Sequence, residues 1–356
     1  MPYGQSRFRA PSARAGLPLR AAFAVVVVAA AHVVASAANG PSLRAMWLSP
    51  SAMSSLTNIR RAITTALAGG FDAIVAPVPV GTRTDSNAFD AGTEALREAR
   101  ERGLGAHLSV SVNLAAGVNE LPAERDHVMY RHPEWLMVPR QLAPELLKIE
   151  QRSPAYLGRI TRWTRVNADR VDGVYVSPLD PAAVTYLVDA VTAAVGRYAA
   201  DGVYLDAIDF PGSDFDYSRH AMDLFRTRMR AVMSIAERAR LDSIEAIDPF
   251  AYAEEFPDEW REYREAALTT LFERLKLALS TIKPALSIAI GARADAEASL
   301  RQHFQPWGAW LARGIVDRVG YRIRTNGTVL LSPDGAFTPS PERSPKAQAA
   351  GAGGPR

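Results

Sequence analysis

The sequence contains no cysteine. That excludes disulfides, thiolate metal sites, a cysteine nucleophile and an anchor built on a lipidated cysteine. It also has no G-x-S-x-G nucleophile elbow and no glycine-rich phosphate loop, so neither an α/β-hydrolase serine nor a nucleotide cofactor is implied. Internal repeats are absent. Acidic residues are missing from positions 1–37, which carry Arg7, Arg9, Arg14 and Arg20. This local lack explains a sequence pI near 9.2. Without those arginines the formal charge falls from +3 to −1, and no basic stripe with interleaved aromatics remains, so a nucleic-acid partner is not expected. What is present is ample for a packed core: 48% of the 356 residues are apolar and 22% are charged.

The arginine-rich start runs into an apolar stretch, Ala21–Val34, and then into Ala35-Ser36-Ala37, an A-x-A cleavage site. These are the parts of a secretory signal peptide over residues 1–37. The apolar stretch falls short of the roughly 20 residues that span a bilayer, so no stable membrane anchor is expected after cleavage. The Ala- and Arg-rich composition points to a GC-rich bacterium, and the destination is then secreted or periplasmic. Mass spectrometry of the exported protein is expected to find a terminus near Ala38, and full-length chain in the membrane fraction would make the segment an anchor instead. At the other end, residues 332–356 are rich in Pro, Gly, Ala and Ser. They cannot bury a core and read as a disordered tail. The folded domain is expected over residues 42–331.

Within it, short apolar runs alternate with helical patterns, the signature of a parallel α/β fold. The candidate strands are Leu43–Leu48, Ala73–Val78, Gly105–Val112, Gly202–Asp206, Leu286–Ile290 and Arg318–Ile323. The candidate helices are Asn58–Ala68, Phe89–Arg102, Pro181–Tyr198, Asp216–Arg240, Asp258–Thr281 and Leu300–Arg313. An insertion around Asp126–Pro178 precedes the fourth strand. From Ala106 to Asn113 the even positions are apolar and the odd ones, His107, Ser109, Ser111 and Asn113, are polar. Side chains alternate faces along a strand, so the polar set is expected inside a barrel and at its mouth, with the apolar set against the helices. By the same rule Tyr204 and Asp206 point inward, and Asp206 ends its strand where barrel enzymes keep reacting groups.

Eight stretches then occur in a fixed order: RAMWL (44–48), GFDAI (70–74), REARERGLGAH (97–107), HPEWLM (132–137), VYVSPLDPAAVTYLVDAV (174–191), DGVYLDAIDFP (201–211), WREYR (260–264) and QPWGAWLARGIVD (305–317). Block by block they resemble the glycoside-hydrolase-like 10 family. The resemblance covers nearly all of residues 43–322. It implies an α/β TIM-like (β/α) barrel, export, and action on bacterial cell-wall glycan, notably strands stripped of their peptides. The chain departs from the family pattern at the barrel mouth. Tyr204 stands where the family has His, and Ala207 follows Asp206. Ser109 replaces a Trp, Ile288-Ala289-Ile290-Gly291 replaces a Ser-Pro loop, and Val319-Gly320-Tyr321-Arg322 replaces Pro-Met-x-Tyr. Two further βα units are missing, and only a short strand at Thr328–Leu331 follows. With about six strands recognisable, the barrel is either open or closed by an unusual route, and an open edge would invite a homo-oligomer.

Glycoside hydrolysis needs two carboxyls, one to protonate the leaving oxygen and one to act as nucleophile or base. Asp206 is the first candidate, against the alternative of a structural Asp bonding a loop. Asp209 is the second, although acidic Gly-containing loops are usually solvated turns. The spacing of Asp209, Asp214 and Asp216 does not fit an EF-hand, and no metal is expected. His107, Asn113, Tyr204, Tyr321 and Arg44 are the candidate sugar-binding residues. For His107 a satisfied core histidine is an equal alternative, and Arg44 could cap the barrel bottom. Trp47 reads as core, and His132 and Trp135 as braces of the long loop. The leading function is an exported glycan hydrolase, and the alternative is a degenerate barrel that binds glycan or another envelope partner.

Overall fold

The computed structural model describes residues 41–80, 89–119, 121–323 and 325–337. The expected signal peptide and residues 338–356 of the expected tail lie outside these residues, and the tail's expected start is corrected, because Ser332 still pairs in the last strand. The strands are β1 (Leu43–Trp47), β2 (Ala73–Pro77), β3 (Gly105–Ser111), β4 (Leu114–Gly117), β5 (Gly173–Tyr175), β6 (Gly202–Asp206), β7 (Ser287–Gly291), β8 (Arg318–Ile323) and β9 (Thr328–Ser332). The helices are α1 (Leu56–Ala68), α2 (Ala91–Glu101), α3 (Val128–Arg131), α4 (Ala143–Leu146), α5 (Pro154–Val166), α6 (Pro181–Gly196), α7 (Arg219–Val232), α8 (Ile235–Glu245), α9 (Ala251–Glu255), α10 (Pro257–Ile282), α11 (Ala296–His303) and α12 (Trp307–Ala312), with a 3₁₀ turn at Pro133–Trp135.

The sheet is a closed barrel in the order β1-β2-β3-β6-β7-β8-β9. The six candidate strands are all there and pair in parallel, each crossover carrying helices, as parallel neighbours require. Of the two alternatives, an open barrel or an unusual closure, the second is found. β9 turns back at Gly327, whose φ of 68° belongs to the left-handed region that glycine tolerates. It then pairs antiparallel with β8 on one side and β1 on the other. One short strand thus occupies both free edges, and the physical reason for a second copy disappears with them.

The side-chain alternation holds. Ala45, Ala73, Val75, Tyr204, Ala289, Val329 and Leu331 form a small cluster inside the barrel. Ala106, Leu108, Val110, Val203, Leu205, Ile288 and Ile290 belong to the large core between sheet and helices. A seven-stranded barrel is narrow, so a large inward ring needs a gap opposite it. Gly320 provides that gap for Tyr204: a Cβ there would lie 2.2 Å from the ring. Gly202 does the same for His107, with 2.3 Å to Nδ1. We expect Gly320→Ala to cost about 1–3 kcal/mol by overpacking, read as a lower urea midpoint, and an unchanged midpoint would show that the Tyr204 ring has room to move.

The insertion folds into more than a loop. β4 and β5 form a two-stranded antiparallel ribbon after β3, and α5 begins with Ser153 capping Tyr156 and Pro154 in the first turn. Two long helical expectations are divided. Residues 216–240 break at Met233, where Ser234 and Glu237 form a capping box that starts α8. Residues 300–313 break at Phe304, with φ 54°, and Pro306. No helix among the described residues is long and apolar enough to cross a membrane.

Candidate active site at the barrel mouth

The carboxyl ends of the strands open into a cleft of about 780 Å³. β1 contributes Trp47, β3 Ser111, β6 Asp206, β7 Gly291 and β8 Tyr321 and Arg322. The loop after β6 adds Asp209, the loop after β7 adds Arg293, and the segment leading into β5 adds Arg170 and Asp172. Tyr204 forms the floor, nearly buried, with Trp47 edge-on at 5.9 Å between ring centroids.

Asp206 sits at the end of β6 with Arg322 Nη1 3.8 Å from its Oδ2. Its backbone is fixed from just past the end of the neighbouring β3, where Val112 N–H donates to Asp206 O at 2.9 Å. Ala207 then takes a left-handed φ of 48°, a conformation a non-glycine residue holds only when its surroundings enforce it. Asn113 N–H donates to Ala207 O at 3.0 Å, and Gln305 Nε2 donates to Ile208 O at 3.1 Å and to Gly291 O at 3.0 Å. Gln305 is itself held by Ser299 Oγ at 3.0 Å. Gly291 has no room for a side chain: a Cβ would lie 2.9 Å from both Asp206 Oδ1 and the Tyr204 hydroxyl.

The rest of the loop is clamped as firmly. Phe210 N–H donates to His303 O at 3.1 Å, and His303 Nδ1 lies 2.7 Å from Phe210 O. The buried Arg264 donates to Ser213 O at 2.9 Å and to Phe215 O, while its guanidinium stacks 3.9 Å from the Phe304 ring centroid. Asp216, fully buried, accepts from Val138 N–H and Ser218 N–H, both at 2.8 Å. A loop held at this many points presents Asp209 in one place.

Loss of solvent pushes the Asp209 carboxyl up to about 7; the Arg293 guanidinium opposes the rise, and the Asp206 and Asp172 carboxylates add to it. Two carboxyls three residues apart in sequence therefore differ in kind, one beside a cation and one held near half-protonation at neutral pH. Such a split between neighbouring carboxyls separates an acid from a base or nucleophile.

Of the residues expected from the sequence, Asp206, Asp209, Tyr204 and Tyr321 come together here. Three do not line the cleft. His107 points inside the barrel as expected but lies deep, beside Gly202, and is almost fully buried. Burial lowers its pKa to about 4, against Asp201 and helped by Arg318, so it is a neutral core histidine. Asn113 lies past the end of β3, where the chain leaves the barrel for β4 and the alternation stops; it is completely enclosed. Its amide finds no partner within the described residues. Arg44 belongs to the opposite end: it is the second residue of β1, on the outward face, donates to Gly69 O at 2.7 Å and stacks on Phe71 at 4.1 Å. Trp47, expected in the core, instead lines the mouth beneath Arg322, whose guanidinium lies 4.2 Å from its ring. His132 and Trp135 do brace the long loop, stacked at 3.8 Å. Sequence reasoning missed Arg170, Asp172, Arg293 and Arg322. The alternation rule would have found Arg322, two residues beyond the inward Gly320. No group of three metal-ligating side chains exists among the described residues.

A family model described as Glycosyl hydrolase-like 10 matches residues 80–329. The chain belongs to that family. Membership in glycosyl hydrolase-like 10 makes its function glycan-directed. Solved structures of similar fold include the PgaB (BpsB) glycoside hydrolase domain from Bordetella bronchiseptica, at 13% identity and a TM-score of 0.45, covering 79% of this chain and 74% of that one. They also include alpha-L-fucosidase isoenzyme 2 from Paenibacillus thiaminolyticus, at 15% identity and 0.40, covering 72% and 34%. A cold-adapted beta-galactosidase from Rahnella sp. R3 matches at 12% identity and 0.45, covering 75% and 37%. The chain thus spans about three quarters of the first protein and only about a third of the other two. No curated protein matches the chain.

Proposed function

We propose that the protein is an exported glycoside hydrolase, secreted or periplasmic, that cleaves bacterial cell-wall glycan, with peptidoglycan strands as substrate. The observation that carries this reading is the pairing, in one cleft, of Asp206 beside Arg322 with an Asp209 carboxyl raised to about 7. Asp209 donates its proton to the glycosidic oxygen as the bond to the anomeric carbon breaks. Asp206, as the carboxylate, serves as nucleophile or base on that carbon, and water finally supplies its hydroxyl there while its proton returns to the carboxyl pair. Trp47 and Tyr321 give the sugar rings flat apolar faces at the mouth.

The alternative is a degenerate barrel that binds glycan without cleaving it. What favours it is the floor of the cleft, where Tyr204 fills the position of the family's histidine and Asn113 is sealed away. The deciding experiment incubates the mature protein with purified, peptide-free peptidoglycan strands and measures new reducing ends. Release above the buffer control supports the hydrolase. Co-sedimentation with the strands and no release from any cell-wall glycan would support the binder.

A further inference from the structure

The cleft has more guanidinium groups than its two reacting carboxyls account for. Arg170, Arg293 and Arg322 line it together with Asp172, Asp206 and Asp209. Because the Asp209 carboxyl lies near 7, it carries only part of its charge at neutral pH and answers a facing guanidinium incompletely. Two of the cations are engaged. Arg322 faces Asp206 and covers Trp47. Arg170 donates to Asp214 Oδ2 at 3.1 Å. Arg293 is exposed on the loop after β7, two residues past Gly291, and makes no hydrogen bond or ion pair among the described residues. An arginine with five donors facing a cleft in which the Asp209 carboxyl is partly neutral is suited to an anionic ligand, and its planar fork matches a carboxylate.

We propose that Arg293 is the specificity residue of this cleft and binds a carboxylate carried by a sugar next to the scissile bond. The inference rests on the glycan-hydrolase reading above and narrows it to glycans with acidic sugars. Arg293 then does two things. Its charge draws the acidic unit to the mouth, and the carboxylate, once bound, takes up a guanidinium that otherwise acts on Asp209. Occupancy of this subsite therefore leaves Asp209 easier to protonate when the substrate is in place.

The test compares one glycan in two forms: peptide-free peptidoglycan strands with free lactyl carboxylates, and the same strands with those carboxyls converted to amides. Wild type is expected to show kcat/KM at least about tenfold higher on the carboxylated form, the scale of one charge-assisted pair. Arg293→Gln is expected to bring the two forms within about twofold of each other, and Arg293→Lys to recover part of the preference through charge without the fork. Equal losses on both forms in Arg293→Gln would overturn the proposal, as would a wild type indifferent to amidation. If wild type cleaves neither form, the hydrolase reading fails separately. Binding then decides: affinity for the carboxylated strands that is unaffected by Arg293→Gln would overturn the specificity role, and loss of affinity confined to that form would uphold it.

Discussion

Asp206→Asn is expected to abolish hydrolysis of peptide-free peptidoglycan strands, by at least about a thousandfold, while leaving the fold intact. The substitution is nearly isosteric, so Gly291 and Tyr204, which approach its side chain closely, see the same volume. It removes the carboxylate that serves as nucleophile or base. Stability should change little. The pair with Arg322 is 3.8 Å long and partly exposed, a class of interaction worth about 0–1 kcal/mol. Circular dichroism and the urea midpoint check folding, and reducing-end release checks turnover. Wild-type rates in the variant would remove Asp206 from the mechanism. In a pure binder the same change would weaken glycan affinity by about 1–3 kcal/mol and nothing more.

The second large effect belongs to Asp209. A general acid with a carboxyl near 7 is protonated below that pH and loses its proton above it. Activity is therefore expected to fall about tenfold per pH unit above roughly 7. Asp209→Asn should lower the rate by about 10²–10⁴ and erase that limb. Stability moves the other way. The folded protein holds the neutral carboxyl better than the unfolded chain, whose carboxyl titrates near 3.8. Its contribution is complete below that value and is lost as pH rises through about 7. At pH 4 the variant should match wild type, and at pH 8 it should be the more stable by about 1–2 kcal/mol after solvent screening. Urea denaturation at the two pH values reads this difference, and a variant less stable at pH 8 would mean that Asp209 is ionised and paired. In Asp206→Asn, one of the charges that raise Asp209 is gone, so its carboxyl should titrate lower.

The six parallel strands were legible because each is a short apolar run bounded by turn residues. Gly202–Asp206 and Arg318–Ile323 carry their observed limits in the sequence. Alternation placed His107, Tyr204 and Asp206 inside the barrel, and it reached its limit at Asn113, where the strand had already ended. The capping box at Ser234 and Glu237 was written locally and marks the break that a continuous helical pattern hides. β4 and β5 are four and three residues long, too short for any periodicity to declare itself. Arg170, Asp172 and Arg293 reach the cleft from segments whose paths depend on the whole fold, so no local pattern marks them as neighbours of Asp206. The closing of the barrel was hidden for a related reason. A run such as Thr328–Ser332 shows that a strand exists, and only its partners show which way it runs.

That last strand also sets an order on folding. Leu43 pairs with Leu331, nearly the full length of the domain away in sequence. Until residues 328–332 have emerged, β1 and β8 both present unsatisfied backbone edges, and the sheet is a curved ribbon that cannot shut. A contact of such sequence separation forms late and slowly, because the ends of a very long loop must find each other. A chain cut just before Thr328 would keep every parallel strand and every cleft-lining side chain, yet have two sticky margins in place of a sealed wall. Its expected fate is association through those margins, so five residues that contribute nothing to the chemistry are the ones that seal the sheet.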